Sequence, residues 1–160
     1  QIKTVTNAAT INAWSNSALV YDPGLQGAIS EIDFSISFEK INAFGQGMRV
    51  GAILRQDGAF FEGPGNITGS TADAGTISFS GATVASFAQT GGIGSQPDFS
   101  ASGSPITFGF LTGNSFGDQI EFIYDNLSYG ITTVPEPNGF ALVCGCVAAI
   151  TLGRRLDSKG

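Results

Sequence analysis

The side chains with chemistry to offer in this sequence are oxygen-bearing ones. Glu31 and Asp33 stand two apart in ISEIDFSISFEK, which in an extended strand puts them on one face about 6.6 Å apart. Glu121 occupies a similar setting in DQIEFIYD. Paired carboxylates hydrolyse glycosides when environment tunes one as acid and the other as base or nucleophile. No second tuned pair accompanies these, so they read as a solvated strand face and no enzyme is predicted. Asp22 and the neighbours Asp125 and Asn126 put hard oxygen ligands at turns, as a structural Ca²⁺ site would require, although Asx turns account for the same residues without a metal. No other cofactor is expected. Trp14 and Tyr21, with Tyr124 and Tyr129, could stack on sugar rings if they line a concave face, or could serve as core and edge residues.

Other chemistry is excluded by composition. Histidine is absent from all 160 residues, which removes the commonest general base and metal ligand. Cys144 and Cys146 are the only cysteines. Two residues apart in a strand they sit near the limit for a bridge within one chain, and a bridge between chains is the alternative. The net charge of −6 and pI of about 4.3 argue against a nucleic-acid partner, which needs clustered Lys and Arg. The GG and GxG groups follow no strand-to-helix pattern, so a nucleotide loop is not expected. Two sequons, Asn66-Ile67-Thr68 and Asn126-Leu127-Ser128, are short enough to arise by chance.

The elements that must position these residues are strands. Charged residues make up 12% of the chain and glycine occupies 23 positions, a mixture that favours strands and turns over helices. In residues 29–40, Ile32, Phe34, Ile36 and Phe38 alternate with acidic and serine positions, the period-two pattern of a half-buried strand. Residues 47–56 repeat it, with Met48, Val50, Ala52 and Leu54 inward and Arg49 and Arg55 outward. Asp57-Gly58 before AFFE reads as a hairpin turn. Further strands are predicted at 76–80, 82–88, 105–111, 118–125 and 126–134, separated by turn-rich pieces such as EGPGN, TGGIGSQPD and LTGNSFGD. No helical run is expected. Many short strands with Gly, Pro, Asn and Asp between them imply an all-β fold, an antiparallel two-sheet β-sandwich of jelly-roll type with a phenylalanine-rich core. Pro135 and Pro137 break any strand, so the sandwich is expected over 1–134 and a separate tail over 135–160.

The tail differs from everything before it. Residues 139–153 carry no charge and Arg154 and Arg155 follow. As a helix this segment measures about 23 Å, short of the roughly 30 Å hydrocarbon core of a bilayer, so it would insert only with local thinning or with help from its flanks. Its arginines would stay cytoplasmic. Residues 1–153, with four bases against twelve carboxylates, are acidic while the last seven residues are net basic.

The order VPEP, short apolar segment, arginine pair resembles the PEP-CTERM sorting signal of exported bacterial proteins. The matching positions are Val134, Pro135, Glu136 and Pro137, then 139–153, then Arg154 and Arg155. The resemblance implies a signal peptide, export, and recognition by an exosortase, a membrane-embedded cysteine protease and transpeptidase-like enzyme. The apolar segment is shorter than usual, contains CGC, and is followed by LDSKG beyond the arginines. The body is also similar to the concanavalin-like jelly-roll domains of proteins with this tail, through Trp14, DPG at 22–24, GAISEIDFS, QDGAFF, PDFSASGSPITFGF and IYDNLSYGITTVPEP. That likeness implies one calcium near the chain ends.

Because the first residue is Gln1 rather than Met, the start reads as a mature N-terminus left by signal-peptide removal. An apolar tail of this kind needs an apolar partner: Phe140, Leu142, Val143, Val147, Ile150 and Leu152 would contact a membrane transiently or a groove or sheet edge on a neighbouring copy. The expectation is an extracellular or outer cell-surface structural protein, held or polymerised, as a filament, through this tail. The alternative is a polysaccharide-binding module, with exopolysaccharide as partner, that the tail localises.

Overall fold

The computed structural model describes residues 2–6, 10–42, 48–68, 74–91, 94–114 and 120–135. Among these described residues nine strands form two antiparallel sheets. One contains β1 (Ile2–Thr6), β9 (Ile120–Thr133), β3 (Ile29–Asn42) and β6 (Ala74–Ala82), in that order. The other runs β2 (Thr10–Tyr21), β8 (Ile106–Asn114), β4 (Met48–Gln56), β5 (Ala59–Thr68) and β7 (Ala88–Gln89). Most connections cross from one sheet to the other, and the result is the expected antiparallel jelly-roll sandwich.

The period-two patterns become the two inner faces. Ile32, Phe34, Ile36 and Phe38 of β3 are buried together with Phe122 and Tyr124 of β9, facing Val50, Ala52 and Leu54 of β4 and Ile106, Phe108 and Phe110 of β8. Each of these large side chains contributes about 1.5–3 kcal/mol by leaving water. The predicted phenylalanine core is present, with rings in tilted or edge contact, as in Phe38–Phe122 at 6.4 Å and Phe87–Phe99 at 5.7 Å. Arg49 and Arg55 lie on the outer face, Arg49 paired with Glu62 and Arg55 over the ring of Phe60. The hairpin turn is where the sequence placed it, with positive φ at both Asp57 (51°) and Gly58 (81°), the requirement of a type I′ turn.

Several elements differ from the sequence expectation. The strand predicted over 82–88 is divided: Ala82 closes β6, and Val84–Ser86 form a 3₁₀ turn. Thr83 and Ser86 offer local bonds that compete with a ladder: Ser86 N–H donates to the Thr83 carbonyl and Thr83 N–H to Ser86 Oγ. EGPGN is not a turn but the interior of β5, because Gly65 lets the backbone press against β4; a Cβ there would meet the Val50 carbonyl oxygen at 2.8 Å. DPG forms a single helical turn, Pro23–Gln26, with Asp22 as N-cap and its carboxylate accepting Gly24 N–H at 2.9 Å. The strands predicted at 118–125 and 126–134 are one strand, β9, running through the Asp125-Asn126 position. Residues 2–21, not assigned from the sequence, supply two strands.

After β9, Val134 N–H donates to the Ala28 carbonyl at 2.8 Å, and Val134 and Pro135 are exposed. Glu136, Pro137, Phe140, Leu142, Val143, Val147, Ile150, Leu152, Arg154 and Arg155 lie outside the described residues.

Candidate functional site

Two irregularities in the strands open a cleft at the side of the sandwich. In β2, Trp14 pairs with Phe110 and Ser15 with Gly109, but the next pair is Val20 with Thr107. Asn16, Ser17, Ala18 and Leu19 therefore oppose Phe108 alone and the edge strand bows outward. Asn16 Oδ1 accepts Ala18 N–H at 2.9 Å and holds the bow. In β9, Ser128 pairs with Ser35 and Asp125 with Ser37. Asn126 and Leu127 thus oppose Ile36 alone, which is a β-bulge. Asn126 adopts φ 53°, the left-handed conformation that Asn tolerates better than most side chains, and its N–H donates to Asp125 Oδ1 at 2.8 Å.

Between the two bulges lies a cleft of about 360 Å³ lined by Trp14, Ser15, Asn16, Ser17, Ile36, Phe110, Tyr124, Asp125, Asn126 and Leu127. Bulges are common beside binding sites because they re-aim side chains, and here both re-aim polar groups toward one opening. Trp14 is the aromatic group available to a ligand. It lies 6.4 Å from Phe110, nearly parallel to it, and remains 37% exposed because β2 is the sheet edge. Tyr124 and Phe110 are buried and form the inner boundary.

The candidate residues named from the sequence divide between this cleft and other places. Trp14, Asp125 and Asn126 come together in it. Tyr21 is 8% exposed and its ring is packed in the core, with its single hydroxyl proton shared between the Gln26 and Gly27 carbonyls at 2.9 and 2.8 Å. Asp22 is not among the residues that line the cleft; one of its carboxylate oxygens accepts Gly24 N–H in the helical turn described above. Among the described residues no three Asp, Glu, His or Cys side chains gather as a metal would require. Tyr129 also belongs to the interior, with its hydroxyl on the Gly109 carbonyl and its ring against Phe34 and Phe108. Glu31 and Asp33 are on the exposed face, where Asp33 Oδ1 accepts Gly81 N–H at 2.9 Å. A shallow second depression there is lined by Asp33, Ser35, Ser78, Ser80 and Ser128 together with Phe34 and Phe79.

Ser15, Asn16 and Ser17 were missed as site residues. The available signal was the stretch WSNS itself, where the polar run after Trp14 interrupts any strand alternation. What the cleft can do follows from its groups. It offers an indole face, amides, hydroxyls and one carboxylate, a set whose chemistry suits contact with a polar ring that has an apolar side. Among the described residues that line it, Asp125 is the one carboxylate.

Comparisons with known proteins add little. No family model matches the chain, and no curated protein matches it in sequence. A solved structure described as "CBM4 structure and function" is similar at a TM-score of 0.40 and 10% identity, covering 81% of each chain.

Proposed function

We propose that this protein is a non-catalytic glycan-binding β-sandwich that takes a sugar chain in the cleft between β2 and β9. The observation that carries this reading is Trp14, exposed at a sheet edge among Asn16, Asp125 and Asn126. A pyranose presents a C–H face that stacks on an aromatic ring and an equatorial rim of hydroxyls that needs donors and acceptors. A cleft with a few placed polar groups around an apolar surface fits that chemistry. Trp14 is the sole tryptophan, so its emission reports the site directly. Titration with purified polysaccharides should shift that emission with saturation, and Trp14→Ala should weaken binding measured by calorimetry more than tenfold. A flat titration across neutral, acidic and amino polysaccharides would sink the reading.

A second proposal concerns where the protein works, and rests on the resemblance of residues 134–155 to a PEP-CTERM signal. In this reading the protein is exported, handled by an exosortase, and held at the cell surface or in the matrix through the apolar segment containing Val143, Val147 and Ile150. Self-association through the same segment is the structural variant of that proposal. Intact-mass analysis of the protein from its native surface, with peptide mapping across residues 130–160, separates the outcomes. Loss of the segment after the PEP motif means processing; its retention means a partner shelters it; a cytoplasmic protein with no processing overturns the proposal.

A further inference from the structure

Selectivity among glycans should follow from the charge of the cleft. Among the described lining residues Asp125 is the only carboxylate and none is Lys or Arg. The described arginines are committed elsewhere: Arg49 pairs with Glu62, and Arg55 lies over Phe60. The protein as a whole is acidic, with a net charge of −6, so no long-range field draws an anion toward the opening. At the same time Asp125 is a strong acceptor. One of its oxygens takes the Asn126 N–H, and a carboxylate has about four acceptor sites in all. Asn16 and Asn126 add amide groups, and Ser15 and Ser17 add hydroxyls.

Resting on the glycan-binding reading above, we propose that the cleft selects uncharged hexose or pentose chains and rejects uronate chains, with Asp125 as the residue that discriminates. A neutral sugar stacked on Trp14 donates its hydroxyl hydrogens to Asp125, a charge-assisted bond of the stronger kind. A uronate in the same position brings a second carboxylate beside the first with no cation between them. At the contact distances of a bound sugar and the dielectric of a partly exposed site, that repulsion weakens binding about tenfold or more. It is partly screened by salt, so added NaCl should strengthen uronate binding and leave neutral binding unchanged.

The test uses the full chain and four probes, neutral hexasaccharides of glucan, xylan and mannan type and hexagalacturonate, each titrated by calorimetry at low and high NaCl. The expected result is saturable binding of at least one neutral probe, and binding of hexagalacturonate at least about tenfold weaker at low salt. Asp125→Asn should narrow that gap, because the amide oxygen still accepts the Asn126 N–H while the charge is gone. Asn126→Gly is the companion variant: glycine tolerates the left-handed backbone, so the bulge survives while one polar group leaves the wall, and neutral binding should weaken without loss of fold. Wild-type protein that binds hexagalacturonate as tightly as a neutral probe, in a Trp14-dependent way, overturns the selectivity and leaves glycan binding standing. A gap that Asp125→Asn does not narrow overturns the role of Asp125. Neutral binding that Asn126→Gly leaves unchanged removes the cleft as its seat. Failure of every probe overturns this inference and counts against glycan binding itself.

Discussion

The hydroxyl of Tyr129 reaches from the four-stranded sheet across the sandwich and donates to the backbone carbonyl of Gly109 in the five-stranded sheet. The Ile53 carbonyl lies 3.4 Å from the same oxygen, and Ile53 and Gly109 are direct partners in the β4–β8 ladder. One phenol thus ties two sheets at the level of a strand pair, while its ring packs 4.6 Å from Phe108 and 5.3 Å from Phe34. Tyr129→Phe keeps those ring contacts and removes the bond. The expected loss is about 1–3 kcal/mol, because the buried Gly109 carbonyl loses the phenol as a donor. Urea denaturation measures it, and an unchanged midpoint would show that the bond adds nothing.

The same tyrosine makes stability fall in alkali. Burial pushes its phenol far above the ordinary tyrosine range, against the smaller opposing effect of the Ile53 and Gly109 carbonyls. In the unfolded chain the phenol ionises near pH 10, so the folded state holds the proton more tightly. The contribution is complete below about pH 10 and is lost as pH rises above that value, when only the unfolded chain can ionise. Asp98 acts in the opposite sense. Hydrogen bonds from the Ser100 side chain and backbone hold its carboxyl below the usual range, so its contribution is present above the ordinary carboxylate pKa and fades as pH falls through the lowered value. Melting temperature against pH should show both slopes, with Tyr129→Phe flattening the alkaline one.

Gln56 pins a loop. It is buried, its Nε2 donates to the Asp98 and Ser104 carbonyls at 2.9 and 2.7 Å, and its Oε1 accepts Asp98 N–H at 2.7 Å. Gln56→Leu preserves bulk and orphans all three backbone groups, at about 1–3 kcal/mol for a buried one. Limited proteolysis should then cut within residues 98–104 at a denaturant concentration that leaves the wild-type protein intact.

Gly109 has no room for a side chain. A Cβ there would come within 2.8 Å of Ser15 Cα and would collide with the Trp14 carbonyl. Both neighbours are backbone of β2, which cannot turn aside as a side chain would. Gly109→Ala should cost about 3 kcal/mol or more and should disturb Trp14, seen as a shift in its emission maximum without ligand. A variant that melts and fluoresces like the wild type would show that β2 can move away from β8.

Removal of residues 136–160 should leave the sandwich intact, because β9 is already paired with β1 and β3 and Val134 is tied to Ala28. The shortened protein is expected to unfold cooperatively with a midpoint close to the full chain. A large drop would mean that the tail packs on the body.

Much of the fold was legible locally. The alternation in β3, β4 and β8 chose each inner face, since a strand that buries one side must repeat every two residues. Asp57-Gly58 announced its hairpin because few other pairs accept two positive φ angles. Trp14 as a sugar-stacking ring, and Asp125 and Asn126 as oxygen ligands for a cation, could be named from residue type alone. Their meeting in one cleft could not. Trp14 and Asp125 are more than a hundred residues apart, and the cleft exists because four residues of β2 oppose Phe108 and two of β9 oppose Ile36. Such offsets are set by which strands end up side by side, a long-range outcome with no local signature. The same reason joined 118–125 to 126–134: Asp-Asn favours a turn by itself, but pairing with β3 on both sides of it holds the chain extended and converts the turn into a bulge. It also placed Tyr21 in the core while Trp14, on the same strand, stayed open to solvent at the sheet edge.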